Sequence, residues 1–290
     1  LSAPAAGGAD ASRVALPGAT ALLAAACRIA REAGAAILGV DGQADRAVRH
    51  KADASPLTLA DERAEAIIVP ALRSLAPYPV VVEEAVARGE CPAIDADGPF
   101  WLVDPLDGTR EFVARNGEFT VNIALVCRGA PLLGVVHVPV AGISYAGQLA
   151  HDGGNGAPAA WIEHADGRHE AIACRACPAE GLVLAVSRSH GDDAALQAWL
   201  GDAVPVAGRI AAGSALKFGL LARGAADLYP RLGRTMEWDT AAGHALLRAA
   251  GGDVLDLQGQ PLRYGKPGFE NPPFVAHGRG WQGKTPRGAA

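Results

Sequence analysis

Phe100-Trp101-Leu102-Val103-Asp104-Pro105-Leu106-Asp107-Gly108-Thr109-Arg110-Glu111-Phe112 is the stretch on which the reading of this chain turns. Its four leading apolar residues predict a buried strand, which runs into two aspartates separated by Pro-Leu. Pro105 fixes φ and Gly108 permits a sharp bend. The chain is therefore expected to turn as the strand ends, delivering both carboxylates to one side of a tight loop. Two such charges about 4 Å apart repel by roughly 4 kcal/mol at an effective dielectric of 20. A loop that holds them together needs a cation between them. Taken alone, the same residues also describe a solvated turn, since Pro, Asp and Gly are the usual turn formers. The remainder of the chain decides between the two.

With 290 residues, the chain suits one large domain or two of ordinary size. Half of the residues are hydrophobic and a fifth charged, the balance of a soluble globular protein. The formal net charge is -5, with no basic run or interleaved aromatic stripe, so nucleic-acid binding has no electrostatic support. A small anionic substrate would need a local cation or a few placed basic side chains. Five scattered cysteines, Cys27, Cys91, Cys127, Cys174 and Cys177, fit reduced thiols better than a disulfide framework. The lone Cys174-Arg175-Ala176-Cys177 has no second CxxC or His pair at metal spacing, and reads as incidental. No apolar run reaches the length of a membrane span, and no signal-peptide pattern is visible. The expectation is a cytoplasmic protein, with peripheral association at the inner membrane left open.

Residues 1–18 are mostly Ala, Gly, Ser and Pro with little to bury and are expected to form a disordered tail, and 281–290 a second tail. From Ala19, Leu22, Leu23, Cys27, Ile29, Ala30, Ala33 and Ile37 recur at helical spacing, predicting an amphipathic helix to about Gly39. A loop at 51–56 precedes Thr58-Leu59-Ala60-Asp61, which has capping-box spacing ahead of a helix with Ile67, Ile68, Ala71, Leu72 and Leu75 inward. Val80-Val81-Val82 predicts a short strand ending on Glu83-Glu84. Strands are expected at Phe119–Cys127, Leu132–Val138 and Ile143–Ala146, in antiparallel succession. Composition loosens at Gly153-Gly154-Asn155-Gly156. An N-terminal α+β domain is placed at 19–152 and a C-terminal α/β domain at 153–280. The second half alternates: strand Leu182–Val186, helix Asp192–Leu200, strand Val204–Val206, helix Ser214–Arg223, strand Ala226–Tyr229. Then come a helix opened by Trp238-Asp239 and closed by Gly251-Gly252, and a strand Asp253–Leu257. That alternation predicts a mixed or parallel sheet with helices on its faces.

Asp61, Glu83-Glu84, Asp104, Asp107 and Asp239 each sit where a regular element begins or ends, which is where scaffolds place chemistry. Singly, Asp61 reads as half of a capping box, Asp239 as an N-cap and Glu83-Glu84 as a solvated strand end. As a set they are oxygen donors with no His or Cys nearby in sequence, which selects Mg²⁺, Mn²⁺ or Ca²⁺ over zinc. Divalent ions about 3.5–4 Å apart suit phosphate-ester hydrolysis, neutralising oxygens, activating water and stabilising the leaving oxygen. The residues point to a Mg²⁺-dependent phosphoryl hydrolase.

Glu83-Glu84, Asp104-Pro105-Leu106-Asp107-Gly108-Thr109 and Trp238-Asp239-Thr240-Ala241-Ala242-Gly243 resemble, in order and spacing, the inositol monophosphatase superfamily. The closer resemblance is to its 3′(2′),5′-bisphosphate nucleotidase branch. It rests on Arg110-Glu111-Phe112, on Asn116 through Leu125, on Ser187-Arg188-Ser189-His190, on Gly213 through Phe218 and on Tyr229-Pro230-Arg231. It spans roughly residues 19–276. The resemblance implies a layered αβαβα sandwich and two or three Mg²⁺ ions per active site. Glu83, Asp104, the Leu106 carbonyl, Asp107 and Asp239 would hold them, with Glu83 also steering the attacking water. Asp61 would accept a hydrogen bond from Thr109, whose hydroxyl helps polarise that water. Gly108 and Thr109 would offer N–H groups to the scissile phosphate. Lys217 and Arg231 would receive phosphate charge, with Ser214 and His190 hydrogen-bonding around a nucleotide. Taken singly, Lys217 reads as a solvated helix residue and His190 as a loop histidine.

The implied reaction removes the 3′-phosphate of adenosine 3′,5′-bisphosphate to give AMP, and extends to 3′-phosphoadenylyl sulfate, with inhibition by Li⁺. The partner is thus a phosphorylated nucleotide, with no obligate protein partner and a monomer or homodimer as the assembly. An inositol or sugar phosphate monophosphatase, and a non-catalytic Mg²⁺ or nucleotide binder, are the competing readings. Val82 stands where the branch has Ser, Ala215 where it has a second Ser, and Arg234 where it has Pro; none removes a metal ligand. The loop Ala85 to Gly98 departs from the branch pattern.

Overall fold

The structure, a computed structural model, describes residues 18–41, 49–50, 56–57, 59–95, 97–149, 157–188, 193–201 and 204–281. The expected tails lie outside these residues apart from Gly18 and Trp281, as do Thr58 and all of the 51–56 loop except Pro56. The first half contains α1 (Ala19–Asp41), β1 (Arg49–His50), β2 (Pro56–Leu57), α2 (Leu59–Leu75), β3 (Val80–Val82), α3 (Glu83–Ala87), β4 (Phe100–Asp107), α4 (Thr109–Val113), β5 (Thr120–Cys127), β6 (Ala130–Val138) and β7 (Ile143–Gln148). Next come β8 (Ala159–Glu163), β9 (His169–Ala171), β10 (Leu182–Ser187), α5 (Asp193–Leu200), β11 (Val206–Ala212), α6 (Leu216–Ala222) and β12 (Leu228–Arg231). The chain closes with β13 (Thr235–Met236), α7 (Glu237–Ala249), β14 (Asp253–Asp256), a 3-10 turn at Pro267–Phe269, β15 (Glu270–Asn271) and β16 (Phe274–His277).

Strands β3 to β9 form one sheet in sequence order, parallel only between β3 and β4. The second sheet has the order β11-β10-β12-β16-β14 and is mixed, with β10 parallel to β11 and β12 and β16 antiparallel to its neighbours. Helices α1 and α2 pack together on one face of the first sheet, while α7 lies on the other. Helices α6 and α7 contact each other and the second sheet. Beyond that sheet, Leu196 and Leu200 of α5 join Leu182, Leu184, Leu228 and Val275 in a separate cluster. The stacking is therefore α, β, α, β, α, the layered sandwich expected.

Two helical layers flank the first sheet, so its central strands are buried on both faces. On β4, Trp101 and Val103 point to the α1/α2 core and Phe100 and Leu102 to the core between the sheets. That explains why Phe119 through Cys127 is buried at every position instead of showing a clean polar face. On α2, Ile68 and Leu72 are fully buried, whereas Ile67, Ala71 and Leu75 are only half-buried.

Several expectations are corrected. The chain does not turn at Pro105: β4 runs on to Asp107, and the turn comes at Gly108, whose φ is 91°. Asp104 pairs Asn122 and Asp107 pairs Thr120, so β4 carries one extra residue, a bulge at Pro105-Leu106. The short strand expected at 204–206 is instead β11, an edge strand from Val206 to Ala212 paired only with β10 and largely exposed, so no alternation marks it. Helix α6 begins at Leu216 and β12 at Leu228, each two residues later than expected. Asp239 is the third residue of α7, not its N-cap, which is Met236. Residues 150–156, where the domain boundary is expected, lie outside the described residues, and beyond it β8 pairs onto β7 and β9 onto β8, extending the first sheet.

His137 on β6 makes a stability prediction. Its ring is buried under α1 and shares a 2.9 Å hydrogen bond with Ser144 Oγ. Burial pushes its pKa down from 6.5 to about 4. The folded state holds the ring neutral while the unfolded chain protonates it, so its contribution is complete above about pH 6.5 and is lost as pH falls through about 4. That loss is about 3 kcal/mol between neutral pH and pH 4. His137→Gln should flatten the acid limb of a urea-stability profile by this amount; an unchanged limb would remove His137 as its source.

Candidate active site

The bulge in β4 is the local event that builds the site. With one residue more than its partner strand, the chain bends between Asp104 and Asp107. Asp104 Oδ1 accepts the Leu106 N–H at 3.0 Å and so stiffens the bulge. The left-handed Gly108 then starts α4, and the Thr109 hydroxyl donates to the Leu106 carbonyl at 3.3 Å. A β-carbon at Gly108 would already lie 3.2 Å from Ser214 Cβ and Glu111 Oε2, so both conformation and room favour glycine here.

Three acidic side chains far apart in sequence converge. Glu83 opens α3 after β3, Asp104 ends the regular part of β4, and Asp239 lies in the first turn of α7. One oxygen from each lies within 4.8 Å of the others. Asp107 lines the same cleft, with Leu106, Gly108 and Thr109. Two full charges at that spacing repel by roughly 3–4 kcal/mol at an effective dielectric of 20. The field shows in the titration. Burial, with the Glu83 charge adding, pushes Asp107 up to about 6 against the pull of Lys217, Asn122 and the Ala215 N–H. Burial, then Asp107 and Glu83, raises Asp239 well above the usual carboxylate range. A divalent cation would remove both penalties, and an all-oxygen donor set is the chemistry Mg²⁺ selects. The residues fit such an ion.

Asp107 is held by donors from two strands of sequence. Asn122 Nδ2 reaches its Oδ2 at 3.1 Å and the Ala215 N–H reaches the same oxygen at 2.7 Å, which leaves Oδ1 for the cleft. Asp239 Oδ2 accepts the Met236 N–H at 2.8 Å, closing the first turn of α7 and fixing its rotamer.

The same cleft is lined by basic side chains. Lys217 is buried, donates to the carbonyls of Ala212 at 3.2 Å and Ser214 at 2.5 Å, and lies 5.0 Å from the centre of the Tyr229 ring. Burial pushes its pKa down to about 8, against the pull of Asp107. Arg231 lines the cleft and donates to the Arg234 carbonyl at 3.3 Å. Arg234 also lines it and pairs with Glu270 at 3.2 Å.

Of the residues singled out from sequence, Glu83, Asp104, Leu106, Asp107, Gly108, Thr109, Ser214, Lys217, Arg231 and Asp239 all border one cleft. Asp61 is buried in the first turn of α2, which packs on β4. The Thr109 hydroxyl is directed to the Leu106 carbonyl, and the Ser214 hydroxyl donates to the Glu118 carbonyl at 2.8 Å. His190 lies outside the described residues. Sequence reasoning passed over Asn122 and Glu118. Asn122 was findable as a polar residue interrupting an apolar run; for Glu118 no local signal exists, because its partners lie about 70 to 95 residues further along.

The inositol monophosphatase family model matches residues 19–283. The 3′(2′),5′-bisphosphate nucleotidase CysQ of Shigella flexneri is 46% identical over 251 residues, covering 86% of this chain and 96% of that protein. The protein of the same name from Escherichia coli (strain K12) is 45% identical over the same shares. Among solved structures, CysQ from Bacteroides thetaiotaomicron superposes with a TM-score of 0.71 at 35% identity, over 89% of this chain and 97% of the other. Inositol monophosphatase from Anabaena (Nostoc) sp. PCC 7120 matches with a TM-score of 0.68 at 24% identity, over 90% and 91%, and shares the fold.

Proposed function

Because the chain belongs to the inositol monophosphatase family, we propose that it is a Mg²⁺-dependent 3′(2′),5′-bisphosphate nucleotidase, hydrolysing adenosine 3′,5′-bisphosphate to AMP and phosphate. The observation that carries this reading is the juxtaposition of clustered Glu83, Asp104 and Asp239 with a cationic wall in one cleft. A substrate with two phosphates matches both ends. One is hydrolysed at the carboxylate cluster and the other is held by Arg231 and Lys217. 3′-Phosphoadenylyl sulfate carries the same 3′-phosphate beside a second anionic group, and belongs to the same substrate class.

Glu83, Asp104, Asp107, Asp239 and the Leu106 carbonyl would hold two or three Mg²⁺ ions; that carbonyl has a second lone pair beyond the one Thr109 uses. When bound, Mg²⁺ neutralises the ester oxygens, makes water a competent nucleophile and stabilises the leaving oxygen. The residues of the chain orient the rest. The N–H groups of Gly108 and Thr109 hold the scissile phosphate. When the Thr109 hydroxyl turns from the Leu106 carbonyl to Asp61, its own proton would pass to the Asp61 carboxylate as its oxygen takes one from the attacking water. That water would form the new P–O bond as the bond to the ribose 3′-oxygen breaks, and the 3′-oxygen would take a proton from solvent water to leave as the hydroxyl of AMP. Ser214 would border the nucleotide, the role the family resemblance also implies for His190.

No helix among the described residues is long and apolar enough to cross a membrane. The test is phosphate release from adenosine 3′,5′-bisphosphate and from inositol 1-phosphate, with and without Mg²⁺. We expect kcat/KM to favour the nucleotide by tenfold or more and to vanish with chelation. A preference for inositol 1-phosphate would replace this reading with a sugar-phosphate monophosphatase. Mg²⁺-dependent nucleotide binding without phosphate release would make the protein a sensor. Arg231→Ala should lower kcat/KM for the nucleotide about tenfold or more, the loss of a charged hydrogen-bond partner, and change inositol 1-phosphate turnover less than threefold. Arg231 is the cleaner probe, since Lys217 also ties backbone.

A further inference from the structure

The turn at 213–215 links β11, the second sheet's edge strand, to the helix α6 that carries Lys217, and Glu118 helps fasten it to the first half of the chain. Glu118 lies in the segment leading into β5. Its carboxylate takes a two-pronged grip from Arg188, with Nε to Oε2 and Nη2 to Oε1 both at 2.7 Å. Oε2 also accepts the Gly213 N–H at 2.8 Å, and the Glu118 carbonyl accepts the Ser214 hydroxyl at 2.8 Å. Arg188, just after β10, completes the strap by donating from Nη2 to the Ala211 carbonyl at 2.9 Å. Three hydrogen bonds thus reach residues 211–214, one from the Glu118 carboxylate, one from its main-chain carbonyl and one from Arg188, while the two-pronged pair ties Arg188 to Glu118.

What they pin is strained and sits over the site. Ser214 has φ +44°, a left-handed conformation that a residue other than glycine keeps only when its surroundings over-determine it. Gly213 has no room for a side chain, since a β-carbon there would meet Glu111 Cγ at 2.7 Å and the Glu118 carbonyl at 2.8 Å. One residue on, the Ala215 N–H donates to Asp107 Oδ2 at 2.7 Å. Two residues further, Lys217 folds back onto the Ala212 and Ser214 carbonyls. The strap therefore controls which oxygen of Asp107 is occupied and where the ammonium stands, without Glu118 lining the cleft itself.

We infer that Glu118, clamped by Arg188, is a positioning residue for the hydrolytic reaction: it fixes the 211–215 turn so that the Ala215 N–H orients the Asp107 carboxylate toward the cation and Lys217 stays in the cleft. A bidentate Arg–carboxylate pair suits this task because its two parallel bonds set direction as well as distance. Lysine, a point charge, would not. The inference rests on the proposed reaction for its kinetic consequence, but not for its consequence on cation affinity.

The test compares the wild type with Glu118→Ala, Glu118→Gln and Arg188→Lys as full chains. Mn²⁺ affinity is read from the free-ion paramagnetic resonance signal, alongside thermal unfolding in chelator and Mg²⁺-dependent phosphate release. Glu118→Ala should weaken Mn²⁺ binding and raise the Mg²⁺ concentration for half-maximal rate, each about tenfold, and lower kcat by tenfold or more. Glu118→Gln, which keeps an oxygen for Gly213 but loses the charged fork, should fall between, and Arg188→Lys should resemble it. Wild-type cation affinity in Glu118→Ala overturns the inference. So does a variant whose only change is a lower unfolding temperature, which would reduce Glu118 to a brace of the fold. If the wild type releases no phosphate, the proposed reaction fails on its own, and the Mn²⁺ affinities still decide the role of Glu118.

Discussion

Asp107→Asn lowers phosphate release from adenosine 3′,5′-bisphosphate by an expected factor on the order of 10³, while making the protein more stable in chelator at alkaline pH. The two halves of this result have one cause. Asp107 stands beside Glu83 and Asp239 in a cleft where burial and like charge push its pKa to about 6 and also raise Asp239 well above the usual carboxylate range. A carboxylate whose folded pKa lies above its unfolded value costs stability as pH rises through the folded value. The penalty is absent below the unfolded pKa, near 3.8, and fully felt above about 6. Asparagine has the same shape and no charge to desolvate, so at pH 8 in chelator the variant should gain on the order of 2 kcal/mol. Mg²⁺ should reverse the order, because binding to the folded state alone stabilises by mass action, and the variant lacks one of the oxygens proposed to hold the ion. The measurement is unfolding temperature with chelator and with saturating Mg²⁺. Equal Mg²⁺-induced shifts in wild type and variant would show that Asp107 is not part of the cation site, whatever happens to the rate.

Gly147→Ala and Gly134→Ala, both remote from the chemistry, should each cost at least about 3 kcal/mol of stability, beyond ordinary overpacking because the clash is with backbone. Helix α7 lies directly against β6 and β7. A β-carbon at Gly147 would sit 2.4 Å from Leu246 Cα, and one at Gly134 would sit 2.4 Å from the Ala242 carbonyl oxygen. No side-chain rotation relieves such a contact; the helix itself must move. Its first turn carries Asp239, so the shift reaches the cation site from the far end of the helix. Chemical denaturation should report the loss, and the fraction that remains folded should need more Mg²⁺ for half-maximal rate. Stability within about 1 kcal/mol of wild type would mean that α7 rides higher on the sheet than the structure has it.

Much of the scaffold was legible because its signals are local. The period-3.6 spacing of Leu23, Cys27, Ala30, Ala33 and Ile37 announces α1, all five being buried on one face. Runs such as Phe100–Val103 and Val80–Val82 announce strands buried on both sides. Where such a signal is missing, the reading slipped. Edge strand β11 has an exposed, irregular pattern, and the turn after β4 moved from Pro105 to Gly108 because a bulge absorbs the proline within the ladder. The order and spacing of Glu83-Glu84, Asp104 to Thr109 and Trp238-Asp239 were enough to name oxygen donors, and through resemblance a family.

The sequence by itself determined the apolar periodicities, the hard-ligand character of the acidic residues and a net negative charge without a basic run, because these depend on composition and near-neighbour spacing. Only the tertiary structure decided that Glu83, Asp104 and Asp239 share one cleft, since that follows from which strands pair and where α7 seats. It alone decided that Lys217 is buried and bonded to backbone instead of solvated, and that Glu118 and Arg188 hold the turn above Asp107. Distance through space is set by packing across layers, and no spacing along a chain encodes it.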